Sequence, residues 1–176
     1  SGQFKQAEDM NVIVSPDWAK AAAQKMRDAL KGFDPEAQGV VFKAADRLEG
    51  LASTKAPALS QTQRLELEMN GLPVPAAKPM PVAMNETELI RKELVNLKKG
   101  NEAPVREAAR RAIESLQESQ LAISPTQVLR GDAGAYTQTI KDAIGNWKYG
   151  KQSNILQGKA NLGDLNSATA GSGAND

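Results

Sequence analysis

Two residue types are missing from this chain of 176 residues: it has no cysteine and no histidine. Without cysteine there can be no disulfide, no thiolate nucleophile and no cysteine-ligated zinc. That is compatible with a cytosolic origin. Without histidine there can be no Ser-His-Asp triad, no Cys-His pair, no His-ligated metal and no imidazole general base. An enzyme built on this chain would have to work with Lys, Asp, Glu, Ser or Tyr alone. Aromatics are scarce at 4%, so Ala and Leu carry much of the 40% apolar content. Such a composition favours close helix–helix approach over a thick core. An excess of one charge sign is missing too. The 22 basic and 21 acidic residues leave a net charge of +1, which argues against attachment to nucleic acid through a global basic field. No apolar run approaches the roughly 20 residues that span a bilayer. The N-terminus lacks the basic-then-apolar order of a signal peptide.

What is present is helical periodicity. In Pro104–Gln120, the residues Val105, Ala108, Ala109, Ala112, Ile113 and Leu116 form one apolar stripe, with Arg106, Glu107, Arg110, Arg111, Glu114 and Glu118 opposite. Pro104 suits a first helical turn. A helix this one-sided has to bury its stripe against other helices. Ser15-Pro16-Asp17 starts another, with Trp18, Ala22, Met26, Ala29, Leu30 and Phe33 at helical spacing. Asp34-Pro35-Glu36 opens a third, lined by Val40, Val41, Ala44, Leu48 and Leu51 and weakened by Gly39. Ser60 caps a short helix, Gln61–Met69, stopped by Asn70-Gly71. Asn85 and Glu88 read as a capping box for a helix with a Leu89, Ile90, Leu94, Leu97 stripe, ending at Lys98-Lys99-Gly100. A last helix is expected over 132–158 behind Gly131-Asp132.

The fold expected is all-α: elongated antiparallel helical hairpins or a bundle, with a proline-rich linker between two helical halves. The regions are 1–71, the linker 72–84, a three-helix region 85–161, and a flexible Gly/Ser/Asn tail 162–176. Leu72–Met84 holds prolines 73, 75, 79 and 81, which exclude helix and favour extended geometry. It reads as a stiff connector, with an SH3-type ligand as the alternative. Gln3–Met10 could form a frayed helical turn. Val12-Ile13-Val14 has no partner run, so it reads as an extended strap pinned on helices.

Candidate chemistry is thin. Glu86, Glu88, Glu93, Glu107, Glu114 and Glu118 all fall on expected polar helix faces, without the apolar surroundings that raise a catalytic carboxyl. A di-iron bundle needs Glu-x-x-His, which cannot occur here. Asp164-Leu165-Asn166 lacks the Gly and closing Glu of a calcium loop. There is no phosphate-binding glycine loop. No catalytic, cofactor or metal site is therefore expected. The basic residues offer more. Across 85–111, seven basic residues face five acidic ones. In the last helix, Lys141, Trp147, Lys148, Tyr149 and Lys151 combine cations with aromatics, a composition that can contact nucleic acid. A solvated face with Trp147 in the core is the plainer reading.

Leu89–Leu97 (LIRKELVNL), Arg106–Leu116 (REAARRAIESL), Gly131-Asp132-Ala133, Ala143–Lys151 (AIGNWKYGK) and Gly173-Ala174-Asn175 together resemble a helical region of tailed-bacteriophage and prophage proteins. Ala7–Pro16 (AEDMNVIVSP) is similar to the entry segment of those proteins, with Asn11 where Gly is usual; Asp34-Pro35 and Leu59–Leu65 fit the segments that follow. The resemblance covers most of the chain and supplies no catalytic residue. It implies a virion-associated or internal component, with DNA ejection among the roles open to it, located in the virion or host cytoplasm. It also implies protein partners, either further copies or other virion proteins. Such proteins continue past Gly-Ala-Asn, so the chain reads as a fragment of a longer one.

Overall fold

The computed structural model describes residues 2–145. It is mostly helical. In chain order the helices are α1 (Gly2–Asp9), α2 (Pro16–Ala29), α3 (Pro35–Ser53), α4 (Gln61–Met69), α5 (Met84–Gly100), α6 (Ala103–Leu121) and α7 (133–145). The strands are short: β1 (Ile13–Val14), β2 (Lys55–Ala56), β3 (Lys78–Pro79), β4 (Val82–Ala83) and β5 (Val128–Arg130).

Local chemistry sets most helix starts. The Ser15 hydroxyl accepts from Asp17 N, and Pro16 holds the first turn of α2. The Asp34 carboxylate accepts from Ala37 N ahead of Pro35. Ser60 and Gln63 form a reciprocal capping box on α4. That helix ends in a Schellman motif: Leu72 N donates to Leu67 O and Gly71 N to Glu68 O, with Gly71 at φ +67°. For α5 the expected cap fails. The helix begins one residue earlier, at Met84, and the preceding Ala83 offers no side-chain bond. The start is set instead by pairing, because Met84 N donates to Val12 O.

The α5–α6 pair is joined by only two residues, which forces an antiparallel hairpin. α2 packs on α3 as a second hairpin, and α6 lies against both of its helices. Met26, Leu30, Val41 and Leu48 from before the proline-rich segment share one core with Leu94, Ala109, Leu116 and Ile140 from after it. The stripe on α6 faces that core as its spacing demands. Two ion-paired arginines brace the packing. Arg27 on α2 reaches Asp46 and Glu49 on α3, both at 2.7 Å, and Arg47 on α3 pairs with Glu93 on α5.

The Val12–Val14 strap does have partners, contrary to the expectation from sequence. β1 is the middle strand of an antiparallel sheet ordered β4-β1-β5, in register Ile13↔Ala83 and Val14↔Val82 on one side and Ile13↔Arg130, Val14↔Val128 on the other. Strands of two or three residues carry no periodic signal, so the sequence does not reveal the pairing. Val12 and Val14 are buried, and the sheet ties three distant parts of the chain together. The end of the proline-rich segment is thus a strand of this sheet and runs directly into α5.

Candidate functional site

Sequence spacing puts Leu89 on the buried face of α5 and Glu88 outside. The structure reverses them: Leu89 is 58% exposed and Glu88 only 4%. α1, which proves to be a full helix, packs beside this part of α5. Arg91 Nε donates to Glu88 Oε1 at 2.9 Å, and the same guanidinium lies 3.9 Å from the centroid of the Phe4 ring. Lys92 reaches Glu8 at 3.6 Å. α1 therefore docks on α5 over a buried, compensated ion pair.

Beside it lies a polar junction between helices. Trp18 Nε1 on α2 donates to the Ser119 carbonyl on α6 at 2.9 Å. Gln120, wholly buried on α6, donates through Nε2 to the Tyr136 hydroxyl on α7 at 3.2 Å. Burial pushes the Tyr136 phenol above its ordinary range, the nearby Glu88 carboxylate adds to the shift, and the Gln120 bond works against it. Gln120 Oε1 and Ser119 Oγ are buried without a hydrogen-bond partner among the described residues. Trp18 and Gln120 each bond to a neighbouring helix, and Arg91 packs on one, so these contacts fix helix positions. The spacing of the α6 stripe runs on from Leu116 to Ser119 and Gln120, so their place on the buried face is legible, but their polar side chains hide it from a search for apolar residues.

Of the proposed nucleic-acid residues, Lys141 lies exposed on α7 beside the exposed Asp142. Trp147, Lys148, Tyr149 and Lys151 lie outside the described residues, as do the glycines at 150 and 158 and the Asp164 segment. Three arginines of the basic hairpin pair with its own acids, and Lys92 pairs with α1. Arg110 binds Glu107 and Glu114, Arg111 reaches Glu114 and Glu118, and Arg91 and Lys92 are engaged as above. Glu86, Glu107 and Glu118 are exposed on helix faces as expected, while Glu93 is half-buried on Arg47. Among the described residues no cluster of acids could hold a metal ion, and no helix is long and apolar enough to cross a membrane.

The most open feature is an arm between α3 and α5. β2 and β3 pair antiparallel, Lys55↔Pro79 and Ala56↔Lys78, and Met80 N donates to Thr54 O at 2.7 Å. This clasp closes the loop that carries α4. No residue of α4 is buried. Leu65 is 51%, Met69 85% and Leu72 53% exposed, and Val74 and Met80 are exposed as well. The Leu65–Met69 pair expected from spacing is real, but it faces outward. The prolines fall two or four residues apart, so no two stand at the three-residue interval of an SH3-type ligand, and Pro79 is held in the clasp.

Against known proteins, the chain matches no family model, no curated protein and no solved structure.

Proposed function

We propose that this chain is a non-enzymatic structural or assembly module of a bacteriophage or prophage particle, working through helix-mediated contacts with other proteins. The arm carries the reading. Five of the eight exposed large hydrophobics among the described residues fall between 65 and 80, on one clasped excursion. Apolar side chains gathered on one element mark a contact surface more often than single ones scattered over a surface. The phage setting rests on the sequence resemblance. One backbone detail is in keeping with it: Asn11, at the position where the similar proteins carry Gly, has φ +53°, a conformation open to Gly and tolerated by Asn.

The test is size-exclusion chromatography with light scattering on the chain alone and mixed with neighbouring virion proteins. Association with itself or with one of them is expected. A strict monomer that binds none of them overturns the proposal.

A further inference from the structure

The end of α4 holds a pair of residues whose own chemistry the fold leaves open. Asn70-Gly71 is the one Asn-Gly step in the chain. Both residues are exposed. Asn70 is the C-cap of α4 at φ −94° and ψ 8°, and Gly71 follows at φ +67°. Among the described residues, the side-chain amide of Asn70 makes no hydrogen bond. A Cβ built on Gly71 would meet nothing within 4 Å, so the backbone there stands in open space. One contact holds the step back. Gly71 N donates to Glu68 O at 3.1 Å, and attack on the side chain needs that nitrogen released and ψ of Asn70 turned away from 8°. The bond belongs to the last turn of a helix with no buried residue, so opening it disturbs no core. The other described asparagines are placed differently. The amides of Asn11 and Asn101 donate to Asp9 O and Leu97 O. Asn85 and Asn96 lie within α5, ahead of the side chains of Glu86 and Leu97.

We propose that Asn70-Gly71 is a self-modification site, where the chain converts an amide into a carboxylate with water as the only reagent. Gly71 N gives up its proton to solvent base, and its lone pair forms a bond to Asn70 Cγ. The Cγ–Nδ2 bond breaks, and the amide nitrogen takes up a proton and leaves as ammonia. The cyclic imide then adds water. Water at Cγ breaks the new bond and leaves aspartate. Water at the backbone carbonyl breaks the original peptide bond and leaves isoaspartate. Nothing is oxidised or reduced. Either product puts a negative charge at the C-terminal end of α4, against the helix dipole and one turn from Glu66. Isoaspartate also lengthens the backbone inside the Leu72 N to Leu67 O bond. Conversion therefore loosens the end of the helix that carries the exposed Met69 and Leu72. The reaction needs no partner, so a failed search for partners leaves it untouched.

Peptide mapping by mass spectrometry tests it on the whole chain, kept folded in warm, mildly alkaline buffer. The mass gain of amide to acid is expected at position 70 about tenfold or more faster than at Asn85 or Asn96, as a mixture of aspartate and isoaspartate. Asn70→Gln should abolish the gain there and keep the parent melting curve, because α4 buries nothing. Asn70→Asp should speed hydrogen exchange at 67–72 and leave α5 and α6 as they were. Conversion at position 70 no faster than at Asn85 and Asn96 overturns the proposal. Aspartate without isoaspartate overturns it too, because direct hydrolysis would give that product without the Gly71 nitrogen. Unchanged exchange at 67–72 in Asn70→Asp overturns the loosening of α4.

Discussion

Gln120 and Tyr136 show how much a single buried pair can decide. Removing one partner leaves the other desolvated and unbonded, which costs more than the net worth of the bond. Tyr136→Phe should therefore destabilise the fold by about 1–3 kcal/mol in urea titrations, and adding Gln120→Leu should recover most of that loss. The same phenol predicts an alkaline limit. Its folded pKa is raised above the ordinary value of 10.0. The contribution of the protonated phenol is complete below that value. It falls away as pH rises above it, because the unfolded chain ionises first. Tyr136→Phe should flatten the stability decline above pH 10.0, as read by denaturation at a series of alkaline pH values. Glu88 and Arg91 follow the same asymmetry. Arg91→Ala strands a buried carboxylate and uncovers the face of Phe4, at a cost of about 3–5 kcal/mol, whereas Glu88→Leu/Arg91→Met should come close to neutral. Thermal melts of the three proteins separate these outcomes.

At the scale of elements, α6 is the most legible part of the chain because its stripe is continuous and one-sided. The caps at Ser15, Asp34 and Ser60 are legible because capping is chemistry between near neighbours. On α5, spacing finds Ile90 and Leu94 but misplaces Leu89 and Glu88. Arg91, which holds Glu88, packs on Phe4, and Phe4 is distant in sequence, so no window centred on α5 contains that information. The sheet is hidden for a related reason, since β1 draws its partners from 82–83 and 128–130. The α4 pair is legible but its orientation is not, because spacing cannot say whether a stripe meets a core or solvent. Of the nucleic-acid candidates, only Lys141 falls among the described residues. Two glycines test the element-level account in opposite directions. Gly131 has φ +103°, and a Cβ there would stand 3.0 Å from Val12 Cγ2 and 3.3 Å from Val12 Cα. Gly131→Ala should cost about 1–3 kcal/mol by straining the β5–α7 turn. Gly39 lies inside α3, where an added Cβ would meet nothing within 4 Å. Gly39→Ala should stabilise the protein by up to about 1 kcal/mol. Chemical denaturation of both variants gives the two signs.

For the whole molecule, the proline-rich segment divides the sequence more than it divides the structure. Helices from both sides share one core, Arg47 and Glu93 pair across them, and β4 couples the segment itself to β1. Ion pairs of the body such as Arg27 with Asp46 and Glu49 brace one helix on another. The arm carries uncovered apolar surface instead. On the function proposed above, stability and partner contact fall to different parts of one chain, and substitutions at Leu65 or Met69 are expected to leave the fold untouched while those at Tyr136 or Arg91 do not. Hydrogen exchange followed residue by residue, in dilute and in concentrated solution, tests that division most directly. Amides of residues 61–80 should exchange rapidly when dilute and gain protection on association, with the α2, α3, α5 and α6 core unchanged. Protection that instead rises across α5 and α6 while 61–80 stays open would contradict it.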